Sequence, residues 1–141
     1  MPIVKEEQVF RKPIDEVWAV LGDFGDTGKW SGRPKEDCTL QGRGVGALRK
    51  IALADGHMIV NRLDEQTRYS YSYSTISSPL PYKTYRAKMA VEAVDENSTR
   101  FVWTAEFEPL GIPDEQAVAM TRRLYRMGID LMVQTIEGPS D

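Results

Sequence analysis

The sequence predicts an α+β fold: an antiparallel sheet with one long C-terminal helix laid against its concave face. Two observations predict it. Residues 113–137 read as a single long amphipathic helix, and nearly everything between residues 36 and 108 reads as strand, turn, strand. A helix that arrives after a meander of strands has the concave face of that sheet as its partner. A strongly curved sheet touches a straight helix along only part of its length. The space left between them is a natural pocket, so the layout alone points to a container for a small molecule.

Composition narrows the class. At 141 residues, one domain spanning 1–141 is expected, large enough for a sizeable core. The 41% hydrophobic and 28% charged fractions are those of a soluble globular protein. A net charge of −3 argues against a nucleic-acid binder, which needs a basic face. No apolar run approaches the roughly 20 residues of a membrane span, so no membrane insertion is expected. The opening Met-Pro-Ile-Val-Lys-Glu-Glu lacks the basic-then-apolar pattern of a secretory leader, and the lone Cys38 fits a reducing, cytoplasmic setting. One Cys and one His are too few for a tetrahedral N/S zinc site, and no phosphate-binding GxxxxGK[ST] loop is present. No metal and no cofactor are expected, and the chain is read as a monomer or homodimer.

Element by element, residues 3–11 form the first strand. Pro13 suits the first helical position, where a missing N–H has no partner to lose. Ile14, Val17, Trp18 and Leu21 follow at i, i+3, i+4, i+7, the buried face of a short helix. Gly22, Gly25 and Gly28 break the next stretch, leaving Asp23 to Trp30 as loop or a second very short helix. Strands then fall at 36–41, 46–53, 57–64, 68–76, 85–94 and 99–108. Gly42-Arg43-Gly44, Ala54-Asp55-Gly56 and Asp95-Glu96-Asn97 are the tight turns. Ser77 to Thr84, carrying Pro79 and Pro81, is a loop because proline cannot donate to a ladder. In the terminal helix Pro113 opens the first turn with Asp114 and Glu115, whose carboxylates suit the helix dipole. Met120, Leu124, Met127 and Leu131 form the apolar stripe, read as core, and Gly138-Pro139 stops the helix.

Alternation assigns the strand faces. Tyr85, Ala87, Met89 and Val91 share a face, as do Phe101, Trp103, Ala105 and Phe107. A register pairing Met89 with Trp103 sets Arg86 opposite Glu106 and Glu92 opposite Arg100, so both faces agree. The Ala54-Asp55-Gly56 turn puts Leu53 opposite His57, Ile51 opposite Ile59 and Arg49 opposite Asn61. In Arg68-Tyr69-Ser70-Tyr71-Ser72-Tyr73-Ser74 the tyrosines are the inward set, since aromatic rings bury large apolar area.

The chain resembles the SRPBCC superfamily (START-related, polyketide cyclase/dehydrase and lipid transport) over nearly its whole length. The residues that carry the resemblance include Pro13-Ile14-Asp15-Glu16-Val17-Trp18, Leu21-Gly22-Asp23-Phe24, Trp30, Gly44-Val45-Gly46-Ala47-Leu48-Arg49, Asp55-Gly56, Asn61-Arg62-Leu63, Leu80-Pro81-Tyr82 and Trp103 through Gly111. The resemblance implies a helix-grip fold: a seven-stranded antiparallel sheet wrapped around the long C-terminal helix, with two short helices after the first strand. It also implies a cavity for an apolar or amphipathic molecule, lipids included. Many relatives have Glu-Arg-Leu where this chain has Asn61-Arg62-Leu63. Asparagine can hydrogen-bond there but cannot exchange a proton in the working range.

The strand registers place Asn61 beside Tyr71 and predict a polar row, Arg49–Asn61–Tyr71, crossing an apolar wall. Ile51, Ile59, Tyr73, Met89, Trp103, Met120 and Leu124 complete the candidate ligand-binding set. A buried unpaired guanidinium costs several kcal/mol, so Arg49 needs a partner. That partner is a ligand anion or an internal acid such as Asp23 or Asp37; otherwise Arg49 stands near the rim and reaches solvent. His57, at a hairpin end, is either a solvated turn residue or a general acid/base. Three functions follow. The leading one is a binder or carrier of a small hydrophobic or amphipathic molecule, gated by the loops Ala54–Gly56 and Ser77–Thr84, with Leu80, Pro81 and Tyr82 exposed at the mouth. The second is a cyclase or dehydratase acting on a poly-β-carbonyl or aromatic substrate. The third is a regulatory protein whose gate loops respond to ligand; no motif names its partner.

Overall fold

The computed structural model describes residues 1–138. Seven antiparallel strands form one sheet in the order β1-β7-β6-β5-β4-β3-β2, with β1 at Ile3–Phe10, β2 at Cys38–Gln41, β3 at Leu48–Ala52, β4 at Met58–Thr67, β5 at Ser70–Ser77, β6 at Tyr82–Asp95 and β7 at Ser98–Pro109. Helices α1 (Ile14–Leu21) and α2 (Gly28–Ser31) follow β1, and α3 (Asp114–Glu137) ends the chain. This is the helix-grip arrangement. Register shifts within β4–β5 and β6–β7 mark bulges, which bend strands and add twist.

Both longer helices begin immediately after a proline. Pro13 and Pro113 are extended N-caps rather than first helical residues, and their carbonyls accept from Val17 N (3.1 Å) and Ala117 N (3.0 Å). On α1, Val17 and Leu21 are fully buried, with Ile14 and Trp18 packed beside them. The β6–β7 ladder has the register that alternation requires: Met89 opposite Trp103, Arg86 opposite Glu106, Glu92 opposite Arg100. The β3–β4 hairpin pairs Arg49 with Asn61 and Ile51 with Ile59, closed by Leu53 N donating to His57 O at 2.8 Å.

Three expectations are corrected. First, β4 runs to Thr67, three residues beyond the expected Asp64, so the turn shifts and Asn61 pairs with Thr75, not Tyr71. Glu65-Gln66-Thr67 is exposed and carries no apolar alternation to mark the extension. Second, α3 buries Ala117, Thr121, Tyr125, Gly128, Ile129 and Met132, whereas Leu124, Met127 and Leu131 of the expected core stripe are exposed. Small residues let the helix approach the aromatic sheet face closely. With a Cβ at Gly128, Trp103 would stand only 3.1 Å away and Trp30 3.4 Å. Third, Tyr82 begins β6 instead of standing in a loop, and Leu80, Pro81 and Tyr82 are half-buried. The expected Gly138-Pro139 stop is seen at Gly138, where φ is 81°; Pro139 lies outside the described residues.

One end of the sheet is unzipped. The β5–β6 ladder stops at Ser74↔Arg86, although β5 continues to Ser77 and β6 starts at Tyr82. Thr75 and Tyr85, at the parting strands, line both the interior cavity and a groove of about 460 Å³ on the outer face of the sheet.

Candidate functional site

A cavity of about 230 Å³ lies between the concave face and α3. Its walls come from β3 (Arg49, Ile51), β4 (Ile59, Asn61), β5 (Tyr73), β7 (Trp103) and α3 (Leu124, Tyr125), with Trp30 of α2 at one side. This is below the roughly 300–1,000 Å³ of pockets for drug-sized ligands, so the fitting guest is small or protrudes through the mouth. No Asp, Glu, Lys, His or Cys is among the lining residues.

Arg49 dominates the polar chemistry. Its residue is 3% exposed. Nε and one terminal nitrogen both donate to Asn61 Oδ1, at 3.2 and 2.9 Å. The other terminal nitrogen donates to Phe24 O at 3.2 Å and to the Tyr71 hydroxyl at 3.5 Å. The guanidinium carbon stands 4.3 Å from the Phe24 ring centre and 4.8 Å from that of Tyr73, both within cation–π range. Burial disfavours the charge, but Tyr71 and Tyr73 favour it, and the balance lies above the ordinary guanidinium value. The group is a cation. Among the described residues no carboxylate pairs with it: Asp23 pairs with Lys29 at 2.9 Å and Asp37 with Arg33 at 3.5 Å. Both acids named as internal partners are therefore engaged elsewhere, and Arg49 does not reach the rim. Of its five N–H groups, four make these bonds and one has no partner among the described residues.

A profile of the family described as "Polyketide cyclase / dehydrase and lipid transport" matches residues 1–137. The chain belongs to this family. Solved structures share its fold: XoxI from Bacillus cereus, 24% identical, with a TM-score of 0.86 and 96% of each chain covered; a START superfamily protein from Mycobacterium smegmatis, 9% identical, TM-score 0.80, covering 96% of this chain and 97% of that one; and the Zhui aromatase/cyclase from Streptomyces sp. R1128, 17% identical, TM-score 0.70, covering 97% and 92%. No curated protein matches the chain.

Within this family member, eight of the ten candidate ligand-binding residues line the cavity: Arg49, Ile51, Ile59, Asn61, Tyr73, Met89, Trp103 and Leu124. Tyr71 and Met120 do not line it. Tyr71 lies beneath Arg49, fully buried, with its hydroxyl donating to Met89 Sδ at 3.1 Å. The polar row therefore forms by a different route: Arg49, not strand adjacency, ties Asn61 to Tyr71. Burial pushes the Tyr71 phenol up to about 12, against the opposing pull of Arg49. Met120, one turn before Leu124 on α3, is half-buried. His57 is an exposed turn residue whose main-chain N donates to Asp55 Oδ1 at 3.0 Å; that bond, with the ring beside it, holds the Asp55 carboxyl below its ordinary value. It does not line the cavity.

Trp30, Arg33 and Thr75 line the cavity without having been marked as site residues by the strand pattern. Among the described residues, neither Trp30 Nε1 nor Arg33 Nε, both buried, has a hydrogen-bond partner. The signal for Trp30 was a large aromatic in a glycine-broken stretch, which periodicity cannot orient. Asn61 Nδ2 donates to Thr75 Oγ1 at 3.2 Å. Among the described residues, no helix is long and apolar enough to cross a membrane.

Proposed function

We propose that this chain binds a small hydrophobic or amphipathic molecule in the cavity under α3, with an anionic or strongly accepting end of that molecule at Arg49. One observation carries the reading: a buried cation, which among the described residues has an unpartnered N–H and no carboxylate partner, borders an otherwise largely apolar wall. Burying a charge is repaid only by a close counter-charge or full hydrogen bonding, and a ligand oxygen supplies the missing part. Asn61 sharpens the point. It holds the guanidinium in place but leaves the positive charge unneutralised. Trp30 Nε1 and Arg33 Nε are, among the described residues, two further buried donors without a partner.

Binding without chemistry is favoured over cyclisation or dehydration. The lining residues include no group that exchanges a proton near neutral pH, and His57 stands outside. The test is calorimetric titration with para-isopropylbenzoate and with the neutral para-isopropylbenzyl alcohol. The anion binds at least about tenfold tighter, and Arg49→Met removes that preference. Equal affinity for the two, or a preference that survives Arg49→Met, overturns the assignment. Denaturing the purified protein and identifying any retained small molecule by mass spectrometry gives the natural guest; a cationic guest contradicts the reading.

A further inference from the structure

The chain turns sharply at Ser31-Gly32-Arg33-Pro34, where α2 ends. Gly32 takes a left-handed φ of 76°, and the Arg33 main-chain N donates to Ser31 Oγ at 3.3 Å. The turn carries the Arg33 side chain to the far end of β3, where one terminal nitrogen donates to Ala52 O at 2.7 Å. Arg33 and Arg49 thereby line the same cavity.

Two guanidiniums and no carboxylate stand among the lining residues, so the wall is positive at two points. Their spacing follows from β3. Arg49 and Ala52 are three residues apart on that strand, about 10 Å. Ile51, between them, also lines the cavity. The order along this wall is cation, apolar side chain, cation. Arg33 is not closed off by its own partners. Its ion pair with Asp37 spans 3.5 Å, and both side chains are about one-third exposed, so the pair contributes little. Asp37 and Ala52 O engage the same terminal nitrogen. The other terminal nitrogen, with two N–H groups, has no hydrogen-bond partner among the described residues.

We infer that Arg33 is a second anion subsite of the cavity, and that the guest is a compact diacid with one carboxylate at Arg49 and the other at Arg33. This rests on the reading of Arg49 given above. The middle of the guest lies against Ile51 and is apolar. A cavity of about 230 Å³ admits one ring rather than a long chain. A six-membered ring with opposed carboxylates suits an interval of three strand residues, once each arginine supplies a hydrogen-bond length of its own. The ligand class is an aromatic or alicyclic ring diacid.

Two nearly isosteric probes test this, terephthalate and para-isopropylbenzoate, titrated against the intact chain. They differ in the charge at one end of the ring. Terephthalate binds about tenfold tighter, the gain of one charge-assisted contact. In Arg33→Gln that ratio falls to about one, while para-isopropylbenzoate still binds and shows that the cavity is intact. Asp37→Asn gives a second readout that leaves the bond to Ala52 O in place. It removes the competing carboxylate and raises the ratio by about threefold, which an arginine serving only as a structural latch would not do. Where Arg33→Gln does not fold, the Asp37→Asn ratio decides. Equal binding of the two probes, a ratio that survives Arg33→Gln, or one that Asp37→Asn leaves unchanged overturns the subsite and leaves the Arg49 reading standing. Failure of both probes to bind overturns both.

Discussion

Arg49 carries a full charge into an apolar wall, and its contributions to stability and to binding can be separated. Arg49→Met leaves Asn61 Oδ1 and Phe24 O without their donor, at a cost of about 1–3 kcal/mol in urea unfolding. Adding Asn61→Leu removes one orphaned acceptor and recovers most of that loss, yet anion binding stays absent. Asn61→Asp acts in the opposite sense. A carboxylate beside the guanidinium gives it an internal counter-ion, so the fold holds and affinity for para-isopropylbenzoate drops by about tenfold or more. Tyr71 adds a pH signature. Its folded-state value of about 12 exceeds the ordinary phenol value of 10, so the folded chain holds a proton that the unfolded chain releases. The stability this provides is complete below pH 10 and is lost as pH rises from 10 toward 12, about 3 kcal/mol in all. Alkaline unfolding followed by tyrosinate absorbance checks it, and Tyr71→Phe flattens the profile in that window. At this scale Arg49 and Asn61 were legible because a tight Asp-Gly turn fixes their register. Trp30 was not, since no periodicity constrains a residue in a four-residue helix between glycines.

The elements show where pattern reading succeeds and where packing overrules it. The β6–β7 ladder was legible because both of its faces carry matching signals, aromatic within and alternating charge without. The β4–β5 register was not, because Glu65-Gln66-Thr67 extends a strand with polar residues and a bulge intervenes. On α3 the larger apolar side chains mark the wrong face. The buried row lies about 100° around the helix from the Met120–Leu131 stripe, since close approach to Trp103 and Trp30 demands small residues. Gly128→Leu therefore forces the helix off the sheet and destabilises by about 2–3 kcal/mol despite leucine's better helix propensity, read in urea or thermal unfolding. Arg100→Ala, which breaks the exposed 3.2 Å pair with Glu92, changes stability by less than about 1 kcal/mol in the same assay.

For the whole molecule, a ligand that binds only the folded state raises its stability by mass action. At one hundred times its dissociation constant, para-isopropylbenzoate adds about 2.7 kcal/mol and lifts the melting temperature by roughly 5–10 °C. No shift in wild type, under conditions where calorimetry shows binding, contradicts a guest held inside the fold. The architecture was legible because one long helix after a meander of strands admits few packings. The cavity's chemistry was less so, because it depends on which side chains converge from distant strands. The unzipped end of β5 and β6 has a consequence of another kind. Parting those strand ends breaks no ladder bond between them, whereas lifting α3 exposes Ile129 and Met132 from the core. The cheapest local opening lies beside the Ser78–Pro81 loop. On the proposed binding reading, how long a guest stays is governed at that seam and how tightly it is held at Arg49, so residence time and affinity would be altered independently.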